Sequence, residues 1–185
     1  MQTGLNCIIS NKSVIESDVI MGHNNIIEDG VYINNNVNIG NNNIIKKGTI
    51  IKSNTNIEHF VLLKDNTSIG FNCYIDSYVR SSGDNFIGNN CILRFGSTIA
   101  RKVFIEDDVF ISPNVMTIYS THKGENSKRT YIKKGAFIGT AAVIGPGIII
   151  EEGVVIGSQA YIAKDCITKN GIYIGIPAKF LKIKG

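Results

Sequence analysis

Residues 31–51 read VYINNNVNIGNNNIIKKGTII, and within them Ile33, Ile39, Ile45 and Ile51 fall six positions apart. The beat continues in both directions. Counted from Ile9 it passes through Ile15, Met21, Ile27, then on through Ile57, Leu63, Ile69 and Ile75 to Ile87, Leu93, Ile99, Ile105 and Ile111; seventeen of eighteen positions are aliphatic, with Ser81 the lapse. In a chain that is 43% hydrophobic, chance would place roughly eight such residues there. A second series, Ile132, Ile138, Ile144, Ile150, Ile156 and Ile162, is displaced by three from the first. The segment between them, Met116 to Thr130 (MTIYSTHKGENSKRT), is therefore expected to be one inserted loop. At Ser81 the phase resumes without slipping, which predicts a polar bulge.

A six-residue period suits neither an amphipathic helix nor a lone alternating strand. It suits a short strand and a tight turn, repeated, so the fold class is all-β. Residues two before each aliphatic are mostly small or β-branched, such as Val31, Val37, Thr49 and Val61, with Asn25, Asn43 and Asn85 as exceptions. Alternation along a strand points both residues inward. Three repeats make a coil of eighteen, and coils stacked about 4.8 Å apart pair backbone to backbone. Asparagine and glycine between the strands supply turns, because both tolerate positive φ. The open N-terminal end needs protection, a role expected of residues 1–8.

With 185 residues and no low-complexity linker, the chain reads as one domain, 1–185, ending in a short tail from about residue 175, where Pro177 stops further repeat pairing. Net charge is only +4, without a basic stripe, which argues against nucleic acid. The start, MQTGLNCIIS, has no charged or long apolar leader region, so no membrane partner and a soluble, cytoplasmic protein are expected. Cys7, Cys73, Cys91 and Cys166 each occupy the inward small-residue slot and read as buried reduced thiols.

This pattern resembles the hexapeptide repeat of the acetyltransferase family. The resemblance implies a single-stranded left-handed parallel β-helix with one extruded loop at about 116–130; the handedness comes from the resemblance alone and opposes the usual crossover. Ser112-Pro113-Asn114-Val115 followed by His122 resembles the segment of galactoside and maltose acetyltransferases whose histidine is the catalytic base. Ile57-Glu58-His59 resembles the base-bearing step of the UDP-N-acetylglucosamine acyltransferases, which makes His59 the alternative base; His23 and His59 share an outer column with Asn41 between them. Arg94 is expected to face outward near the insertion.

The segments Lys133 to Gly139, Val143 to Gly147, Ala163-Lys164-Asp165 and Gly175-Ile176-Pro177-Ala178-Lys179 resemble the coenzyme A half of nucleotide-amino-sugar N-acetyltransferases. That resemblance implies acetyl-CoA as co-substrate, held by Gly139, Thr140, Ser158, Ala163 and Lys164, with Lys179 and Lys182 on phosphate. An amide near Gly139 or Thr140 is the expected oxyanion donor. The family also implies a homotrimer with sites between subunits, and N-acetylation of a nucleotide-linked amino sugar for cell-envelope glycans.

Three other readings share the repeat: an O-acetyltransferase acting on a polysaccharide, free sugar or antibiotic; a zinc hydrolyase; and an inert scaffold. Zinc needs converging histidines, which the spacing of His23, His59 and His122 does not supply, so no metal is expected.

Overall fold

The computed structural model describes residues 1–124 and 128–185. Most repeats fold as a strand of two residues whose second member is buried and whose first faces out, as in Tyr32–Ile33 and Ile50–Ile51. Ile33 pairs with Ile51, Ile39 with Ile57 and Ile45 with Leu63, all parallel and eighteen residues apart. Among the described residues the strands fall into sheets of eleven, nine and eight, which form the three faces of a parallel β-helix. Ladder bonds such as Ile44 N to Val61 O and Asn34 N to Ile51 O, both 2.9 Å, tie each coil to the next.

The inward column Ile33, Ile45, Ile51, Leu63, Ile69 and Ile75 is fully buried. Each such side chain contributes about 2–3 kcal/mol by leaving water. The third residue of most corners adopts left-handed backbone, with φ of 56° at Asn36, 60° at Asn54 and 67° at Gly48. That requirement explains the asparagine-rich runs, because asparagine and glycine enter this region at little cost.

The three asparagines in the inward slot act as backbone bridges. Asn25 Oδ1 accepts from Asn43 N at 2.9 Å, and Asn43 Oδ1 from Val61 N at 2.8 Å. Asn85 Oδ1 accepts from Val103 N at 2.8 Å. The expected bulge at Ser81 is absent: Arg80–Ser81 is an in-register strand, with Ser81 facing Leu63 on one side and Ile99 on the other. Its hydroxyl is instead buried in a polar cluster, 2.7 Å from Thr67 Oγ1 and 2.9 Å from the donating Asn85 Nδ2. Serine fits the interior here because its neighbours satisfy it.

The insertion is real but shorter than 116–130. Ile105 pairs with Ile132, twenty-seven residues on rather than eighteen, so nine residues are added, which is why the phase moves by three. Met116–Thr117 and Thr130–Ile132 are strands. Thr117 keeps the beat and is buried, its hydroxyl accepting from Ala100 N at 2.6 Å; a count of aliphatics alone passes over it.

At the N-terminal end Gln2–Thr3 pairs with Ile20–Met21 as part of the first coil. Beyond Pro177 the parallel stacking gives way: Ala178–Ile183 turns back antiparallel on Gly171–Gly175 and completes the eleven-stranded sheet. All four cysteines are free thiols, Cys7 half-buried and the others buried. Among the described residues no helix is long and apolar enough to cross a membrane.

Candidate functional site

The loop leaves the nine-stranded sheet after Met116–Thr117 and enters the eight-stranded sheet at Thr130–Ile132. Both of its ends are anchored. Tyr119 packs against the core with the Lys102 ammonium 5.9 Å from its ring centre. At the other end Thr130 Oγ1 accepts from Gly147 N at 3.0 Å. Between these anchors the turn at Thr121 to Gly124 closes through Gly124 N to Thr121 O, 3.0 Å, and carries His122 exposed to solvent. A neutral imidazole so placed has a free lone pair for a proton.

The other two histidines are occupied. Leu5 N donates to His23 Nδ1 at 2.9 Å, and His23 N donates to Asn41 Oδ1 at 2.7 Å. Asn41 N in turn donates to His59 Nδ1 at 2.8 Å, and His59 N to Ser77 Oγ at 3.3 Å. An imidazole accepting through Nδ1 carries its proton on Nε2, which lies 3.7 Å from Glu58 Oε2 in His59. Both rings therefore cap backbone amides through Nδ1. Arg94 does face outward, but its Nε lies 3.1 Å from Asp76 Oδ2 and its guanidinium over the Tyr74 ring. The three histidines do not converge, and among the described residues no group of three or more His, Cys, Asp or Glu is placed to hold a metal ion.

Thr140 and Ser158 stand one above the other at the corner between the eleven- and nine-stranded sheets. In the lower coils of this corner the amides of His23, Asn41 and His59 are capped by the next coil's side chain. Among the described residues, the Thr140 and Ser158 amides have no partner. Gly139 corrects the sequence expectation: its N–H donates to Ile156 O at 2.9 Å, so it is not available to an oxyanion. Its glycine identity reflects close coil approach, since a Cβ there would sit 2.6 Å from Ile156 O.

Ala163 and Lys164 are exposed at the opposite edge of the nine-stranded sheet, above the corner from which the loop departs. Lys179 and Lys182 lie apart from these, exposed on the terminal strand of the eleven-stranded sheet, where they pair with Ile174 and Ile172. The structure thus places His122, Thr140, Ser158, Ala163 and Lys164 along the two edges of one sheet, and the two terminal lysines on the neighbouring face. The sequence pointed to Thr140 and Ser158 but left Gly139 and Thr140 as alternatives, because the repeat does not reveal which corner amide the ladder consumes.

Residues 129–164 match the family model described as bacterial transferase hexapeptide (six repeats). No curated protein matches the chain. Among solved structures, a point mutant of AntD, an N-acyltransferase from Bacillus cereus in complex with dTDP and coenzyme A, is similar over 100% of this chain and 84% of its own, at 19% identity and a TM-score of 0.59. A maltose O-acetyltransferase from Clostridium difficile 630 is 25% identical over 63% of this chain and 70% of its own, with a TM-score of 0.56. A galactoside acetyltransferase in complex with coenzyme A is 27% identical over 68% of this chain and 65% of its own, also at 0.56.

Proposed function

We propose that this hexapeptide-repeat protein is an acetyl-CoA-dependent acetyltransferase acting on a sugar, with N-acetylation of a nucleotide-linked amino sugar as its reaction. The observations that carry the reading are an exposed histidine on the insertion at one edge of the nine-stranded sheet and unpartnered corner amides at its other edge. The similar structures named above include acyltransferases of both N and O types and complexes with coenzyme A.

In this reading His122 removes the proton from the acceptor amine as it attacks the thioester carbonyl carbon. Of the two amides expected there, near Gly139 or Thr140, the Thr140 N–H donates to the oxyanion of the tetrahedral intermediate. Collapse breaks the carbon–sulfur bond, and the proton held by His122 passes to the departing thiolate. The Ser158 amide and the exposed edge at Ala163 and Lys164 hold the extended arm of coenzyme A, while Lys179 and Lys182 meet its phosphates. No step uses the cysteines. Burial pushes the Cys166 thiol up to about 12, so it is no nucleophile at neutral pH.

The protein is expected to work as a cytoplasmic homotrimer, in which the loop of one subunit reaches its neighbour; light scattering checks the assembly. O-acetylation is the second reading, favoured by the likeness of Ser112 to His122 to enzymes that acetylate hydroxyls. Release of free thiol from acetyl-CoA, measured with amino-sugar nucleotides and with their hydroxyl counterparts, separates the two. His122→Asn is expected to lower kcat about 100-fold or more; wild-type turnover in that variant would remove His122 from the mechanism.

A further inference from the structure

Two large aromatic residues adopt left-handed backbone, Phe60 at φ 58° and Tyr78 at φ 62°. Both occupy the third position of the corner that leads into the nine-stranded sheet, where other coils place Asn24, Asn42, Gly96 and Asn114. Asparagine and glycine adopt this conformation cheaply, and bulky side chains do not. Strain of this kind persists where something else over-determines it, and it gathers at sites of function.

Burial is not the compensation, since Phe60 is 47% exposed and Tyr78 44%. Their rings stack on each other at 4.9 Å between centroids and 12° between planes, and Phe95 meets Tyr78 edge-on at 5.4 Å. One coil below Phe60 the same position holds Asn42, whose shorter side chain leaves the outer underside of the ring uncovered. There a groove of about 380 Å³ is lined by Asn42, Ile44, Phe60, Leu62, Tyr78 and Arg80. Arg80 is the one cation lining it, and among the described residues it makes no ion pair.

Resting on the acetyltransferase reading, we propose that this groove binds the nucleoside diphosphate portion of the acceptor. The base stacks on the exposed face of Phe60 with the Asn42 amide at its edge, and the diphosphate pairs with Arg80. The direction of the file supports this. Leu62, Arg80, Thr98 and Met116 are in-register neighbours along the outer face of the nine-stranded sheet, so Met116 stands two coils, about 10 Å, above Arg80. A sugar joined through the diphosphate is thereby directed toward the strand from which the His122 loop departs. The stacked pair Phe86 and Phe104 offers no equal alternative, because Glu106, Asp107 and a Lys134 already paired with Asp108 border it.

Calorimetric titration of the full chain with UDP, dTDP and inorganic pyrophosphate tests the assignment. A nucleoside diphosphate is expected to bind about tenfold or more tightly than pyrophosphate, through the stacked base. Phe60→Asn should cost about tenfold in that affinity while its thermal midpoint holds or rises, because asparagine suits the turn. Arg80→Gln should cost a similar factor for the diphosphate and little for the nucleoside alone. The proposal is overturned if neither nucleotide binds the wild type, or if Phe60→Asn binds at wild-type strength. It is also overturned if that variant instead changes the assembly's mass with nucleotide affinity intact, which would mark a contact between copies. Coenzyme A affinity, measured alongside, keeps the two readings apart: if it persists without nucleotide binding, only the groove assignment fails, whereas its absence sinks the transferase reading.

Discussion

Asn43 shows how single polar residues hold this interior together. Its backbone N–H donates to Asn25 and its side-chain oxygen receives the Val61 N–H, so Asn43→Ala strands a buried donor. The expected loss is about 1–3 kcal/mol, read as a lower urea midpoint at unchanged slope. Ser81→Ile, which restores the aliphatic beat on paper, is expected to destabilise by a similar amount, about 1–3 kcal/mol, because Thr67 and Asn85 lose the hydroxyl they share. A more stable Ser81→Ile would mean that the polar cluster is dispensable. The thiols differ in the same local way: burial raises Cys166 to about 12, and the neighbouring Cys73 together with burial raises Cys91. The hydrogen bond with Cys91 lowers Cys73 instead, so burial alone shields that thiol; a thiol reagent at pH 8 is expected to label the half-buried Cys7 first, with Cys73, Cys91 and Cys166 reacting only on unfolding, and rapid labelling of all four in the native protein would contradict this burial.

Strands of two residues have little stability of their own, and the corners hold them in place. Three corner carboxylates are bonded across coils: Asp29 to Ser10 and Lys12, Asp84 to Asn66 and Arg101, and Glu151 to Lys133. These bonds hold each carboxyl below the usual carboxylate range. A depressed folded pKa contributes stability that is complete above the unfolded value and is lost as pH falls through the folded one. Unfolding midpoints should thus be flat above about pH 5 and fall progressively in more acid solution, with salt weakening the exposed Lys12 to Asp29 pair first; urea melts across pH 2 to 7 check this. The strands were legible in the sequence because aliphatics had nowhere else to go. The insertion's limits were not, because Thr117 meets the inward requirement through a hydrogen bond and not through an apolar surface. Of the two amides expected near Gly139 or Thr140, that of Gly139 is spent on Ile156 O, its residue type reporting close coil approach, while that of Thr140 has no partner among the described residues.

Across the whole molecule each coil touches only the coils above and below it, so stability accumulates along one dimension. The interior is not uniform along that dimension. Ile9 and Ile15 are only partly buried beside the first coil's open edge, while Ile69, Ile75 and Ile87 are almost wholly enclosed. Ile69→Ala should cost about 2–5 kcal/mol, and Ile9→Ala distinctly less, because water already reaches that site. Hydrogen exchange should show the same gradient, with fast exchange at Gln2 to Ile15 and the slowest amides in the coils between Ile45 and Ile111. The position of the insertion then acquires a physical reason. Its anchors, Tyr119 against the core and Thr130 on Gly147, stand on well-buried coils, where the loop that carries His122 is held against a rigid wall. Shortening that loop by its nine extra residues should leave the eighteen-residue stacking and the melting curve nearly unchanged while abolishing acetyl transfer. A collapse of the fold on the same deletion would show instead that the insertion is part of what keeps the coils together.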